Sequence, residues 1–330
     1  MLKKRLAACC CVIIIAMLAA SCSGNIGNNE STPENSTPCS WEYSFYDSTG
    51  AKITLTERPQ RAALLFSSYA DIWVSAGGVA DITVGESVER GFADESAILV
   101  DNGAGHTSID LETLIESSPD IVIGTSDYQC QAEAVEICRA AGIPSAMFHV
   151  ESFDDYLNVL EIFCNITGKE ERFELYGLSV KEQIDKLFEA LSAKADSLGN
   201  RKSILFVRAG SSQGSTKAKT ADDNFVCVML DELGTRNIAS TENGLTGSLS
   251  LEAIMMENPD YLFITTMGNE QAAIDYMNSL LESDGWKELS CVKNGNYCYL
   301  PKELFHFKPN SRWAEAYEYL ANILYPEAIK

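Results

Sequence analysis

The sequence predicts an α/β protein: two three-layer lobes with mainly parallel sheets, joined by a single long rigid helix, with a ligand cleft between the lobes. Three observations favour this fold. Short apolar runs alternate with helical patterns, as in parallel strands covered by helices on both faces. Residues 169–199 break this rhythm with apolar residues at helical spacing and no proline. A pattern of residues also occurs twice, once on each side of that segment.

The first forty residues predict export and tethering. Residues 1–21 have the features of a signal peptide, because a basic start precedes an apolar run, Leu6 to Leu18, that is too short to span a membrane. The small residues before Cys22 resemble a bacterial lipobox, so we expect Cys22 to be lipidated. Secretion with a free Cys22 is the alternative. Residues 22–40 are polar and rich in Asn, Ser, Thr and Pro, as in a flexible tether.

The remainder of the chain divides into three predicted parts. Residues 41–168 form an N-terminal α/β lobe that opens with a β-hairpin, because apolar and polar residues alternate on both sides of a Ser-Thr-Gly turn. Residues 169–199 form the linking helix. Residues 200–330 form the C-terminal α/β lobe, in which short apolar runs again alternate with helical patterns.

Composition limits the classes of function. The chain has 330 residues, with 47 Asp and Glu against 25 Lys and Arg, so phosphate backbones repel it and nucleic-acid binding is excluded. It has 3 His and no zinc-ligand spacing, which argues against a metal site of its own or a zinc or manganese binder. A Cys291–Cys298 disulfide is an alternative to core packing for those two cysteines.

The repeated pattern reads DLETLIESSPDIVIGT over Asp110–Thr125 and SLEAIMMENPDYLFIT over Ser250–Thr265. Each copy predicts a short helix capped by its first residue, a Pro-Asp turn and a buried strand. Such a helix runs antiparallel to its strand, so it begins at the carboxyl edge of the sheet, where open α/β sheets bind ligands.

Glu112 and Glu252 occupy the same place in the two copies, in the first helical turn and off the apolar stripe. The helix dipole alone favours a glutamate there, without any partner. Its presence in both copies nevertheless favours a paired docking surface, with one glutamate contributed by each lobe.

The residues that follow the predicted strands should line the cleft. Two cations, Arg90 and Arg208, could clasp carboxylate or catecholate oxygens of an anionic chelate, and the alternative for each is a surface ion pair. His306 could ligate a metal, bind an organic ligand or be a buried core histidine. We expect Asn310 to cap the last helix. The candidate ligand-binding residues are Tyr69, Arg90, Tyr128, Arg208 and His306.

A catalytic alternative comes from the segment Gly210–Gly214, which satisfies G-x-S-x-G after a predicted strand. In a serine hydrolase this motif places its serine, here Ser212, at a strand-to-helix elbow. The segment continues instead as a polar loop, and His306 is the only downstream histidine. A secreted hydrolase using Ser212 is therefore a remote alternative, and we expect a protein that is not an enzyme.

Four features carry a resemblance over essentially all of the mature chain: the opening hairpin through Arg58-Pro59, the repeated LE…PD pattern, the linking helix and the ending YLPKELFHFKPNSRWAEAYEYL. In their order and spacing the chain resembles the substrate-binding lipoproteins of bacterial ABC importers for iron complexes and cobalamin. The resemblance implies an extracytoplasmic monomer, anchored to the cell membrane, that captures a ferric siderophore or similar metal chelate. Cobalamin and haem are the alternative ligands.

The resemblance also implies a partner and roles for the repeated glutamates. In the family a glutamate on each lobe pairs with basic pockets on the two subunits of an ABC permease dimer, and Glu112 and Glu252 stand at the matching positions. The linking helix of the family allows only small motions of the lobes. No cofactor is implied apart from the ligand itself.

Overall fold

The computed structural model describes residues 41–102, 108–194, 201–240, 245 and 249–328. The predicted signal peptide, Cys22 and the tether lie outside the described residues. Within these ranges no helix combines the length and the apolar character needed to cross a membrane.

The described chain is mixed α/β. Its strands are β1 Tyr43–Tyr46, β2 Lys52–Leu55, β3 Ala62–Leu64, β4 Ile82–Thr83, β5 Ile98–Leu99, β6 Ile121–Thr125, β7 Ser145–Phe148, β8 Ser203–Ala209, β9 Lys217–Ala218, β10 Arg236–Asn237, β11 Tyr261–Thr266 and β12 Tyr297–Tyr299. Its α-helices are α1 Ser67–Ser75, α2 Gly85–Glu89, α3 Leu111–Glu116, α4 Gln129–Ala140, α5 Phe153–Thr167, α6 Glu171–Phe173, α7 Ser179–Ala193, α8 Phe225–Glu232, α9 Leu251–Glu257, α10 Glu270–Leu281, α11 Ser290–Lys293, α12 Lys302–Phe305 and α13 Trp313–Leu324.

The predicted hairpin is present at the start. Strands β1 and β2 pair antiparallel, with Tyr43 opposite Leu55. Phe45, Ile53 and Leu55 are buried while their neighbours along each strand are more exposed, so the alternation seen in the sequence places one face on the core.

Two larger sheets follow, and their topology is equivalent. The first has the order β5-β4-β3-β6-β7 with every pair parallel. The second has the order β10-β8-β11-β12, also parallel, with β9 added antiparallel to β8. In each sheet, successive strands are added first on one side of the initial strand and then on the other. The strand order therefore reverses at a switch point beside β3 in the first sheet and beside β8 in the second. The predicted fold class is confirmed.

Helices cover both faces of both sheets, and we call each sheet with its helices a lobe. Helices α3 and α4 cover the outer face of the first sheet, and α9 and α10 that of the second. The inner faces share one hydrophobic core with α1, α5, α8 and α13. Trp313 of α13 lies between Phe153 of α5 and Phe225 of α8, with ring centroids 6.3 and 5.8 Å away. This shared core ties the lobes together.

The predicted linking helix is helical from Glu171 to Ala193, and residues 195–200 lie outside the described part of the chain. Its first half contains a π-helical turn, Glu174–Leu178, that the sequence pattern did not indicate. A π turn adds a residue to the helical repeat and rotates the apolar stripe. Consequently Leu175 and Leu178 are 59% and 40% exposed, although the periodicity assigns them to the buried face.

The alternative of a Cys291–Cys298 disulfide is wrong. Both residues are free thiols in the structure, and burial raises the pKa of Cys291 to about 11 and that of Cys298 to about 12. Cys291 belongs to the core under the outer face of the second sheet, and Cys298 packs against the shared core. Both therefore act as small apolar residues.

Candidate ligand-binding cleft

A cavity of about 740 Å³ opens between the lobes. The first lobe contributes Glu86, Arg90 and Phe92 to its wall, all from α2 and the loop after it. The second lobe contributes His306 and Phe307, which follow α12. Both groups come from segments beyond the carboxyl ends of parallel strands, the position where α/β sheets present binding loops.

Arg90 is held by the protein's own residues. Its Nη1 donates to Ser67 Oγ over 2.9 Å, and Ser67 Oγ in turn donates to Glu86 Oε2. The guanidinium carbon lies 4.8 Å from the ring centroid of Phe92 and 3.9 Å from that of Phe307. Burial lowers the Arg90 pKa, whereas the nearby acidic groups raise it. A guanidinium stays charged even so, and this one is fixed in direction by two aromatic rings.

The expectation that Tyr69 lines the cleft is wrong. Tyr69 is 1% exposed, and its ring packs edge-on against Phe66 at 5.3 Å and Phe148 at 6.0 Å. Burial raises its pKa well above the ordinary tyrosine value. The reason is local: Tyr69 is the third residue of α1, and the first turn of that helix directs its ring under the sheet edge into the core.

Tyr128 of the first lobe and His306 of the second both feel the charge of Arg208. Tyr128 immediately precedes α4, and burial raises its pKa while the charge of Arg208 lowers it. Burial lowers the pKa of His306, and Arg208 lowers it further while Glu86 of the first lobe raises it. Of these three candidates, His306 lines the cavity, whereas Tyr128 and Arg208 are not among the described residues that line it.

His306 has a defined orientation. Its Nδ1 lies 2.9 Å from the backbone carbonyl oxygen of Thr266, and a carbonyl only accepts. Nδ1 therefore carries the proton. Because burial lowers the pKa, the ring is neutral at neutral pH, and Nε2 keeps its lone pair.

Arg208 occupies the carboxyl end of the central strand β8. It is paired with Thr265 of β11 on one side and with Lys217 of β9 on the other. The residue is half-buried, and within the described residues no carboxylate forms an ion pair with it. A partly desolvated guanidinium in this position is a binding group for an anion.

The segment that follows His306 crosses to the first lobe. Lys308 Nζ lies 2.5 Å from Glu151 Oε1. The side-chain amide of Asn310 donates to the Ser68 carbonyl oxygen over 2.9 Å and to Asp71 Oδ2 over 2.8 Å. These contacts close one side of the cleft.

The predicted capping role of Asn310 is wrong. The residue before α13 is Arg312, and no side chain in the described part of the chain caps that helix. Asn310 is 1% exposed with φ +49°, a left-handed conformation that asparagine tolerates better than most residues. Its amide serves the contact with α1 instead, and the sequence shows only an asparagine directly after a proline.

The repeated helices have the predicted ends. Asp110 accepts a hydrogen bond from the Thr113 backbone N–H over 3.1 Å, and Ser250 accepts one from Ala253 over 3.4 Å. The two first-turn glutamates, Glu112 and Glu252, are exposed, and neither forms an ion pair with any described residue. Both lie at the carboxyl edges of their sheets, free to meet a partner.

The G-x-S-x-G segment does not form a nucleophile elbow. Ser212 has an extended backbone and is followed by a three-residue 3₁₀ turn, Gln213–Ser215, instead of a helix. Its Oγ lies 2.9 Å from Ser215 Oγ, in a local turn on the surface. His306 is bound to Thr266, so the described residues supply no serine–histidine pair at this motif.

Comparison with known proteins identifies the family. Residues 63–304 match the periplasmic binding protein family. Comparison with curated protein sequences finds no match.

Three similar solved structures are a heme-binding protein, RhuT, from Roseiflexus sp. RS-1, SirA from Staphylococcus aureus complexed with staphyloferrin B, and the petrobactin-binding protein YclQ from Bacillus subtilis. Their sequence identities are 18%, 16% and 17%, and the TM-score is 0.64 for each. The alignments cover 81%, 86% and 88% of this chain and 98%, 98% and 99% of those proteins.

At such identities the structural likeness shows the fold, with nearly complete coverage of each relative. The family match spans most of the chain, from β3 to α12. The resemblance stated from the sequence is thereby confirmed at the level of the family: the chain belongs to the periplasmic binding protein family.

Proposed function

We propose that this protein is an extracytoplasmic substrate-binding lipoprotein that captures a ferric siderophore or a similar metal chelate and delivers it to a membrane ABC permease. Its family is one of binding proteins. Two of the similar structures are described by siderophores, staphyloferrin B and petrobactin, and these names support a chelate as the ligand class.

The observation that carries the proposal is Arg208. This cation stands at the switch point of the second sheet, half-buried and without an ion pair among the described residues. The charge of Arg208 acts on Tyr128 and His306, and Arg90 and His306 line the cavity between the lobes. Ferric siderophores present negatively charged oxygens, which guanidinium groups bind through paired N–H donors.

Haem or cobalamin is a second candidate ligand, and His306 favours it. Its Nδ1 is bound to a backbone carbonyl oxygen, which leaves a neutral ring with an available Nε2. Histidines that ligate metals are commonly oriented by such a hydrogen bond from their other ring nitrogen. One of the similar structures is a heme-binding protein, which agrees with this alternative.

Delivery would use the repeated glutamates. Glu112 and Glu252 are exposed, lack ion pairs among the described residues and begin equivalent helices of the two lobes. A pair of basic pockets on a two-subunit permease is the complementary partner for one carboxylate per lobe. Lipidation at Cys22 and the tether over residues 22–40 would keep the lobes near the membrane that holds the permease.

Binding can be tested by tryptophan fluorescence of the purified protein during titration with ferric catecholate, ferric carboxylate and ferric hydroxamate siderophores, haem and cobalamin. We expect saturable quenching by at least one ferric siderophore. A haem Soret band that shifts in the His306→Ala variant would instead select haem. If no member of the panel binds, the proposed ligand class is wrong.

A further inference from the structure

Three metal-ligating side chains gather at the carboxyl edge of the first sheet. Asp127 follows β6, and His149 and Glu151 follow the neighbouring strand β7. Each of the three offers a ligand atom, and these atoms lie within 4.8 Å of one another. His149 Nδ1 is 2.5 Å from Asp127 Oδ1. None of these residues belongs to the Arg208 group described above.

Glu151 supplies an independent observation. Its Oε1 is bound to Lys308 at 2.5 Å, but its Oε2 is buried and has no hydrogen-bond partner among the described residues. A buried carboxylate oxygen without a donor is costly, and native structures satisfy such atoms with a protein group, water or an ion. Glu151 lies in the same cluster as an imidazole and a second carboxylate, which points to a cation as a further partner for its side chain.

The backbone around the cluster is fixed. The His149 N–H donates to Ser48 Oγ over 2.9 Å, which anchors that residue to the hairpin turn. The Glu151 N–H donates to Asp155 Oδ2 over 3.1 Å, next to the capping box that starts α5. A held backbone reduces the conformational freedom that His149 and Glu151 lose when they bind an ion.

We propose that Asp127, His149 and Glu151 bind a divalent transition-metal ion. One imidazole and two carboxylates form a donor set suited to Zn²⁺, Co²⁺, Mn²⁺ or Fe²⁺, and three protein ligands leave positions open for water or another ligand. Lys308 of the opposing lobe is bound to Glu151 Oε1 and holds that side chain in place. The low histidine count argued against a metal site. A count of residues cannot show that the fold brings one histidine close to two acidic residues.

The site is tested by titrating the purified protein with Co²⁺ and Zn²⁺. We expect one saturable Co²⁺ site with visible d–d absorption and without thiolate charge-transfer absorption, displaced by Zn²⁺. His149→Ala and Glu151→Gln should each weaken binding by at least about tenfold. Glu151→Gln preserves side-chain shape and provides the test if the alanine variant does not fold.

Glu133→Gln is the matched control, because it makes the same change as Glu151→Gln at an exposed glutamate of α4 outside the cluster. Its Co²⁺ affinity should equal that of the unaltered protein. Absence of a saturable site, a site that survives His149→Ala, or equal loss in the control would each overturn the proposal. Siderophore titration of His149→Ala keeps the two proposals separate, since chelate binding through Arg208 should persist.

Discussion

The two copies of the repeated segment agree in everything that builds the sheet edge. In each, the helix ends in a left-handed residue, Ser118 or Asn258, directly before Pro-Asp. The aspartate then holds the start of the neighbouring central strand. Asp120 Oδ2 accepts from the backbone N–H groups of Gln60 and Arg61 at 2.8 and 2.9 Å.

Asp260 does the same in the second copy, where its Oδ2 accepts from the backbone N–H and the hydroxyl of Ser203, both at 2.8 Å. The Pro-Asp pair is thus more than a turn: it fastens each helix–strand unit to the next strand. The repetition is explained by architecture up to this point, whereas the exposed glutamates make no ion pair with the described residues and have only the favourable helix dipole as a structural reason.

The lobes differ where they face the cleft. The first lobe places Asp127, His149 and Glu151 at its edge, whereas the second places Arg208 and His306 there. On our proposal, the shared residues set the position of the cleft and the unshared residues select the ligand. This contrast predicts that a substitution at a repeated position has a similar effect in either lobe, whereas substitutions at the cleft have different effects in the two lobes.

The largest expected effect concerns the glutamates. Glu112→Lys and Glu252→Lys should each reduce uptake of the ligand by at least about tenfold, because like charges at a docking surface cost several kcal/mol. The double variant should reduce uptake to background. Ligand affinity of the purified protein should stay unchanged, since neither residue faces the cavity.

The matched control is Glu116→Lys with Glu282→Lys, which makes the same charge change at exposed positions at the far ends of α3 and α10. Uptake by this control should remain near that of the unaltered protein. Docking through the repeated glutamates is refuted if the control and the double variant lose uptake equally.

A smaller effect is expected from the fastening aspartates. Asp120→Ala and Asp260→Ala should each lower the free energy of unfolding by about 1–2 kcal/mol, because each removes two hydrogen bonds to a charged acceptor. Denaturant unfolding measures both values. Similar losses would support equivalent roles, while an unchanged midpoint in either variant would break the equivalence.

The smallest effect distinguishes the caps. Asp110→Ala should cost about 1 kcal/mol, and Ser250→Ala about half of that, because the Asp110 bond is shorter and its other oxygen accepts from the Thr113 hydroxyl. Denaturant unfolding of the two variants shows which one loses more stability. A larger loss for Ser250→Ala would contradict this account of the two helix starts.

The fold was largely predictable because its main elements are periodic. The short helix and the buried strand that each repeated copy predicts are present as α3 and β6 in the first lobe and as α9 and β11 in the second. Two-residue strands such as β4, β5 and β10 and the short helices α2, α11 and α12 have too few residues to show a period. The π turn was not predicted, because the residue it adds to one helical turn does not change the types of amino acid that mark a helix.

The site was predictable only where topology alone places residues. Tyr128 and Arg208 follow directly from lying at the carboxyl ends of strands. Tyr69 was misplaced because a residue one helical turn past a strand can point inward or outward. The Lys308–Glu151 pair joins positions 157 apart, and no local pattern indicates which acid meets which base.

The most direct test of the central claim is the affinity of Arg208→Ala for the ferric chelate that binds best in the titration panel. We predict a loss of at least about tenfold relative to the unaltered protein, since a charge-assisted pair to an anion is removed. Arg201→Ala is the control, because that arginine is exposed and already paired with Asp231. Equal affinity of Arg208→Ala and the unaltered protein would contradict the assignment of Arg208 as the anchor of an anionic chelate.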